Sequence, residues 1–459
     1  MKCNRLTRRA AAYATALALP AEAAAHAFGA RYDLPLPLDL WLAAAGLTVA
    51  LSFLVFTLVL RRAGSASTPR LVLLRLPPLA LVALRAVSVC VFFVLIAAGL
   101  FGTQDPFRNL APAFVWIAWW IGFTYLSALV GDLWTVLNPW KALYPARHFG
   151  PRRELPAVVG VWPATVLLLA FTWIEIAWDG NAVPANIAWL AIGYSLLTWA
   201  GMFVFGREAW LASGEVFAVY FGFIARLAPS EVRSGNAAAC EWALRPPAAG
   251  LLDPRPVSTS AAFFVIVMLA TVTFDGLRET PLWAVDSSAW AAAATAGLLL
   301  VPCVFALVIL GASALMAWLA RGDTRPASAL ELARLFVPTL LPIALAYHVA
   351  HYLSYLLVAG QVVIPLASDP FGRGWDLFGS AHYPIAVGIV GARFAWYTSV
   401  VVIVAGHVLA MYLAHRLALG RFSAPRTARR SQYPLAALMV AYTMASLWIL
   451  AQPIVENVK

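Results

Sequence analysis

The 459 residues are 62% hydrophobic and only 12% charged, with a formal net charge of +11. A water-soluble domain is closer to half apolar and a quarter charged, so this composition excludes an ordinary soluble fold. The basic residues are scattered in short segments between apolar runs, which argues against the continuous stripe of a nucleic-acid binder.

The chain opens with Lys2, Arg5, Arg8 and Arg9, then a short apolar stretch from Ala10 to Leu19 and the small residues Ala23, Ala24 and Ala25. This order predicts a signal peptide over 1–25, with His26 as the mature N-terminus and 26–459 as one transmembrane domain. Helical spans are predicted at 38–60, 79–101, 111–131, 156–178, 184–206, 261–283, 289–320, 335–359, 395–418 and 434–452. Each is long enough to cross about 30 Å of hydrocarbon. The expected fold is therefore all-α, a polytopic transmembrane bundle of about ten spans after a cleaved leader.

Orientation follows from the loops. With the mature N-terminus outside, 21 Lys and Arg fall in inner loops and six in outer ones. That asymmetry predicts an inner-membrane protein with both mature ends periplasmic. Two segments do not fit a plain span. Residues 208–227 are apolar but include Glu215 and Arg226, and read as an amphipathic helix at the inner interface. Residues 361–393 form a long outer segment rich in Gly, Pro and aromatics, as lids and re-entrant pieces often are. Of the four cysteines, Cys3 lies in the leader, Cys90 and Cys303 in spans and Cys240 in an inner loop, so no disulfide framework is expected.

Ionisable side chains inside spans are costly and need a partner or a task. His348, His351, Tyr352 and Tyr355 follow the i, i+3, i+4, i+7 rule and share one face of the eighth span. That face is expected to point into the bundle. His407, Met411 and His415 make a similar row on the ninth span, and His407 would meet the first pair if the two helices pack together. Glu175 and Asp179 close the fourth span, while Asp275, Arg278 and Glu279 close the sixth, where a local ion pair is expected. Imidazoles with carboxylates suit a divalent metal such as copper or zinc. The candidate metal ligands are His348, His351, His407 and the exposed amine and ring of His26. Asp275 and Glu279 are the candidate bases. The rival readings are an interhelical hydrogen-bond network for the histidines, plain solvation for the acids, and a mere cleavage remnant for His26. No G-x-S-x-G, H-E-x-x-H or P-loop string occurs, which disfavours a serine hydrolase, a familiar zinc protease and an ATP-driven pump.

Three strings carry a family resemblance: His26-Ala27-Phe28-Gly29-Ala30-Arg31-Tyr32-Asp33-Leu34-Pro35-Leu36-Pro37, Thr273-Phe274-Asp275-Gly276, and the stretch from His348 to Gln361 continuing through Pro365-Leu366-Ala367-Ser368-Asp369-Pro370-Phe371-Gly372. With them the chain resembles the bacterial membrane proteins called fenitrothion hydrolases. The resemblance covers most of the chain and implies hydrolysis of an aryl organophosphorus triester; it assigns no catalytic residue. Three functions are thus expected, in this order: metal-assisted hydrolysis of an apolar phosphotriester at an intramembrane His site open to the outer face, transport or insertion of copper or another divalent metal, and haem-based redox. The expected partners are the lipid bilayer and an apolar small molecule, with a second subunit left open.

Overall fold

The computed structural model describes residues 32–60, 69–144, 152–234, 240–283, 285–452 and 455–456. The signal-peptide expectation and His26 lie outside the described residues. Helices α1 (Leu38–Val59), α2 (Pro78–Phe101), α3 (Leu110–Val130), α4 (Trp162–Ala177), α5 (Pro184–Phe205), α6 (Thr259–Arg278), α7 (Trp290–Leu319), α8 (Leu341–Ala359), α9 (Ala392–Arg421) and α10 (Tyr433–Ala451) correspond one for one to the ten expected spans. Nine of these segments are long and apolar enough to cross a bilayer. The other, α4, has 16 residues, which at 1.5 Å per residue is about 24 Å. The polytopic all-α bundle is therefore present, and its spans imply a lipid environment.

Burial sorts the helices into two classes. α2 presents one broad face outward, with Leu79, Val82 and Phe93 exposed, as lipid-facing apolar side chains should be. α6 is its opposite: from Ser260 to Gly276 only Phe263 is not fully buried. This central helix packs on α4, α7, α8 and α10, so any polar group it carries is held against protein. Asp275 is such a group.

Loop contacts divide the connections between two faces. On one face, β2 (Leu71–Leu76), β3 (Ser230–Ser234) and β4 (Cys240–Leu244) form an antiparallel sheet in the order β2-β4-β3. Arg70 (2.6 Å) and Arg245 (3.5 Å) hold Glu231 there, while Arg75 holds Glu241 at 3.1 Å. Asp323 on the same set of loops accepts from Ser423. On the other face, Thr103 N donates to Phe371 O (2.9 Å) and Leu110 N to Pro370 O (3.2 Å). The two described ends also meet: β1 (Tyr32–Asp33) pairs in parallel with β5 (Val455–Glu456). Ends on a common face require an even number of crossings.

The segment expected to be an amphipathic helix in or near the inner interface is not a surface helix. Arg207–Ser213 and Val216–Leu227 bend by 61° at Gly214 and Glu215. Val216, Phe217, Val219, Tyr220, Phe221, Phe223 and Ile224 are all buried. A surface amphipathic helix would leave half its girth exposed; this one is enclosed. The charges misled because both are satisfied inside the protein. Glu215 caps the second helix by accepting from Phe217 N (3.1 Å) and Ala218 N (2.8 Å). Arg226 lies over the Phe223 ring at 4.6 Å.

Candidate functional site

The residues that meet near the face carrying the chain ends come from four helices. α6 ends with Asp275 and Arg278 one turn apart, and Arg278 Nε reaches Asp275 Oδ1 at 2.6 Å. α8 supplies His351, whose Nε2 lies 2.9 Å from Asp275 Oδ2, and Tyr352, whose hydroxyl donates to that same oxygen. Asp275 and His351 side chains are each only 5% exposed, so this is an ion network inside protein. α4 contributes Glu175, half-buried and within electrostatic reach of Asp275 and Arg278. Glu279 is held by Arg278 at 3.4 Å, and Arg278 also lies 5.7 Å over the Trp290 ring.

His348 stands one turn before His351, with its ring near Tyr352 (4.7 Å), Tyr125 (5.5 Å) and Trp120 (6.4 Å). It is buried, and neither ring nitrogen has a hydrogen-bond partner among the described residues. Buried polar atoms are normally satisfied, so an unmatched imidazole marks where a water, ion or ligand belongs. Trp120 and Tyr125 reach it from α3, whose middle, Phe114–Gly122, is π-helical. A π-turn of this length is rare, and such turns concentrate at functional positions. Here neighbouring indoles meet different partners: Trp119 packs on Phe217 (4.4 Å), and Trp120 packs on Phe171 and Tyr220 (4.7 Å each).

The expected stripe on the eighth span therefore faces inward. The expected cluster is only partly assembled. α8 and α9 do pack together, yet His407 turns to the Tyr442 ring at 5.7 Å, while its Nδ1 donates to Ile403 O at 2.8 Å. Among the described residues no three of His, Cys, Asp and Glu come close enough to share a metal ion. The solvated reading of Asp275 gives way to a buried, ion-paired one, whereas Asp179 is exposed. His415 is fixed by Leu60 O (3.1 Å) and Gln432 Nε2 (3.2 Å).

Sequence reasoning missed Trp120, Tyr125 and the whole environment of Glu215, which accepts from Tyr194 (2.7 Å), Asn138 (2.9 Å) and Trp134 (3.0 Å) besides its two backbone donors. Only the i, i+3 spacing of Asp275 and Arg278 gave a local signal. Near the opposite face, Asp132 accepts from Thr135 Oγ1 at 2.8 Å, and burial pushes its carboxyl above the ordinary value. Burial also lowers the nearby Lys141 ammonium, which donates to Thr135 O at 3.1 Å.

What the main cluster offers chemically is an imidazole oriented by a carboxylate, with that carboxylate held by a guanidinium and a phenol, beside a second imidazole without partners. No family model matches the chain, and neither the curated proteins nor the solved structures give a match.

Proposed function

We propose that this protein is a membrane-embedded hydrolase of neutral aryl phosphotriesters, working at the Asp275–His351 pair. The observation that carries the reading is the 2.9 Å contact between His351 Nε2 and Asp275 Oδ2, buried next to the unmatched His348. A carboxylate against an imidazole orients the ring and stabilises the imidazolium that forms when it takes a proton. In this reading His351 removes a proton from water and the hydroxide attacks phosphorus. The P–O(aryl) bond breaks, and the phenolate leaves with the electron pair. Arg278 keeps Asp275 charged throughout, because an ion pair of this kind favours the ionised carboxyl. His348 is the hydrogen-bond partner for the phosphoryl group or the attacking water. The resemblance noted in the sequence supports this substrate class, as does a buried acid–base pair carried by membrane-spanning helices.

The described residues do not assemble a metal cluster, so no step is routed through a metal; copper or zinc at His348 is instead an outcome of the test. The reading includes an inner-membrane location, a cleaved leader and periplasmic ends, supported by the basic inner loops and by the pairing of both described ends. The test is release of the nitrophenol from fenitrothion by the purified chain. Expected is a loss of about 100-fold or more for His351→Gln and Asp275→Asn, within the range of general acid–base contributions. Full turnover in both variants would overturn the mechanism; full loss on chelation, restored by one added metal, would put a metal at His348.

A further inference from the structure

A second feature lies one layer of rings away from the Asp275–His351 centre. Between α2, α3, α4 and α5, with Trp134, Trp140 and Phe217 at one end, is a cavity of about 810 Å³. This is the size of a pocket for a drug-sized molecule. Its composition is unusual even for this chain. Of 32 lining residues 12 are aromatic, six of them Trp116, Trp119, Trp134, Trp140, Trp178 and Trp189, against 13% aromatics overall.

The wall has no charge to offer. None of the described lining residues is Asp, Glu, Lys, Arg or His. Several of its polar groups are already directed into the protein: Trp116 Nε1 donates to Asn181 O (3.0 Å), Trp134 Nε1 (3.0 Å) and the Tyr194 hydroxyl (2.7 Å) donate to Glu215, and Trp140 Nε1 donates to Ser195 Oγ (2.8 Å). A charged or strongly hydrogen-bonding ligand would lose its water and find little in return. A flat neutral ring finds indole and phenyl faces and edges, each such contact adding to simple burial. An acyl chain would gain only burial, and nothing in such a lining favours it over the surrounding lipid.

The mouth also has a direction. Leu126, Trp189 and Leu197 belong to the lining and are 47%, 62% and 43% exposed on the apolar exterior of the spans. The cavity therefore borders the apolar exterior of the spans at these three side chains. On the inward side, Trp119 and Phe171 line the cavity, while Trp120, packed on Phe171 at 4.7 Å, faces His348.

We infer that this cavity is a binding site for a neutral aromatic small molecule that enters sideways from the membrane. The inference concerns binding and stands whether or not the Asp275–His351 centre hydrolyses anything. It is tested on the purified full chain in detergent with N-phenyl-1-naphthylamine, a neutral aromatic dye that accepts energy from excited tryptophan. Saturable energy transfer is expected, reversed by biphenyl and unaffected by hexadecane. The cavity is then filled with Ala170→Leu plus Gly193→Leu; an added Cβ at Gly193 meets no atom within 4 Å. Dye affinity should fall at least tenfold. Gly311→Leu on α7, equally free of close atoms, should leave it unchanged and serves as the folding and partition control. Transfer that rises linearly with dye, or that survives filling, would overturn the site. Equal displacement by hexadecane would overturn the aromatic assignment in favour of an acyl chain.

Discussion

Glu215 provides the sharpest stability test, because its carboxylate is fully buried and meets five donors and, among the described residues, no cation. Oε2 takes Trp134, Asn138 and Ala218 N; Oε1 takes Tyr194 and Phe217 N. Hydrogen bonds to a charged acceptor are worth about 1.5–3 kcal/mol each. Five would sum to roughly 7–15 kcal/mol, but deleting the carboxylate also removes its own burial penalty. The net loss for Glu215→Ala is therefore expected at about 3–5 kcal/mol, since neutral donors left without an acceptor cost roughly 1–3 kcal/mol each where water cannot reach them. Glu215→Gln separates charge from shape. Its amide nitrogen fits only at the Oε1 position, where the Tyr194 hydroxyl can turn to accept, and the bond from Phe217 N is lost. A loss of about 1–3 kcal/mol is expected from that one stranded donor. Unfolding of the purified protein in mixed detergent–SDS micelles, followed by tryptophan fluorescence, should rank wild type above Gln above Ala. A Gln variant as stable as wild type, or an Ala variant within about 1 kcal/mol of it, would refute the account of how the bend is held.

Arg278→Met should destabilise by about 3–5 kcal/mol because it strands the buried Asp275 carboxylate, and adding Asp275→Asn should recover much of that loss in the same unfolding assay. Gly276→Ala should cost about 1–3 kcal/mol, since its Cβ would fall 2.1 Å from the Tyr347 hydroxyl; Gly311→Ala meets nothing within 4 Å and should stabilise by about 0.5–1 kcal/mol. Asp132 has a raised carboxyl pKa, so the native state takes up its proton before the unfolded state does. Stability should therefore rise as pH falls from neutrality towards the ordinary Asp range near about 4, and Asp132→Asn should flatten that rise in unfolding curves collected across the window. In a cysteine-free background, a membrane-impermeant maleimide applied to intact cells with a permeabilised outer membrane should label Ser380→Cys and spare Thr324→Cys; the reverse pattern would invert the proposed orientation.

The spans were legible because length and apolarity alone decide whether a helix can sit in hydrocarbon, and nine of the ten expected runs form helices that meet that condition. The inward face of α8 was legible for a related reason. His348, His351 and Tyr352 repeat at helical spacing, and lipid would not tolerate them. What could not be read was the partner. Asp275 and His351 are 76 positions apart, and no local pattern says that α6 will be the central helix against α8. The π-helical stretch of α3 was equally hidden, since Trp116, Trp119 and Trp120 would suit any buried helix. Residues 208–227 were misread because sequence shows a charge without showing its donors: Glu215 is matched by Trp134, Asn138 and Tyr194, from parts of the chain read separately. His407 failed for a subtler reason. The correct helices do pack together, but rotation about the α9 axis points its ring to Tyr442 and away from His351.

The parallel pairing of Tyr32 with Val455 has a consequence for biosynthesis. α1 also packs against α9 and α10, so among the described residues its main helix neighbours are the last two made. With roughly 420 residues between the two strands and translation at about 5–20 residues per second, the leading helix waits on the order of 20–80 s in the bilayer without them. A chain that stalls before α9 therefore leaves α1 without the two helices on which it packs.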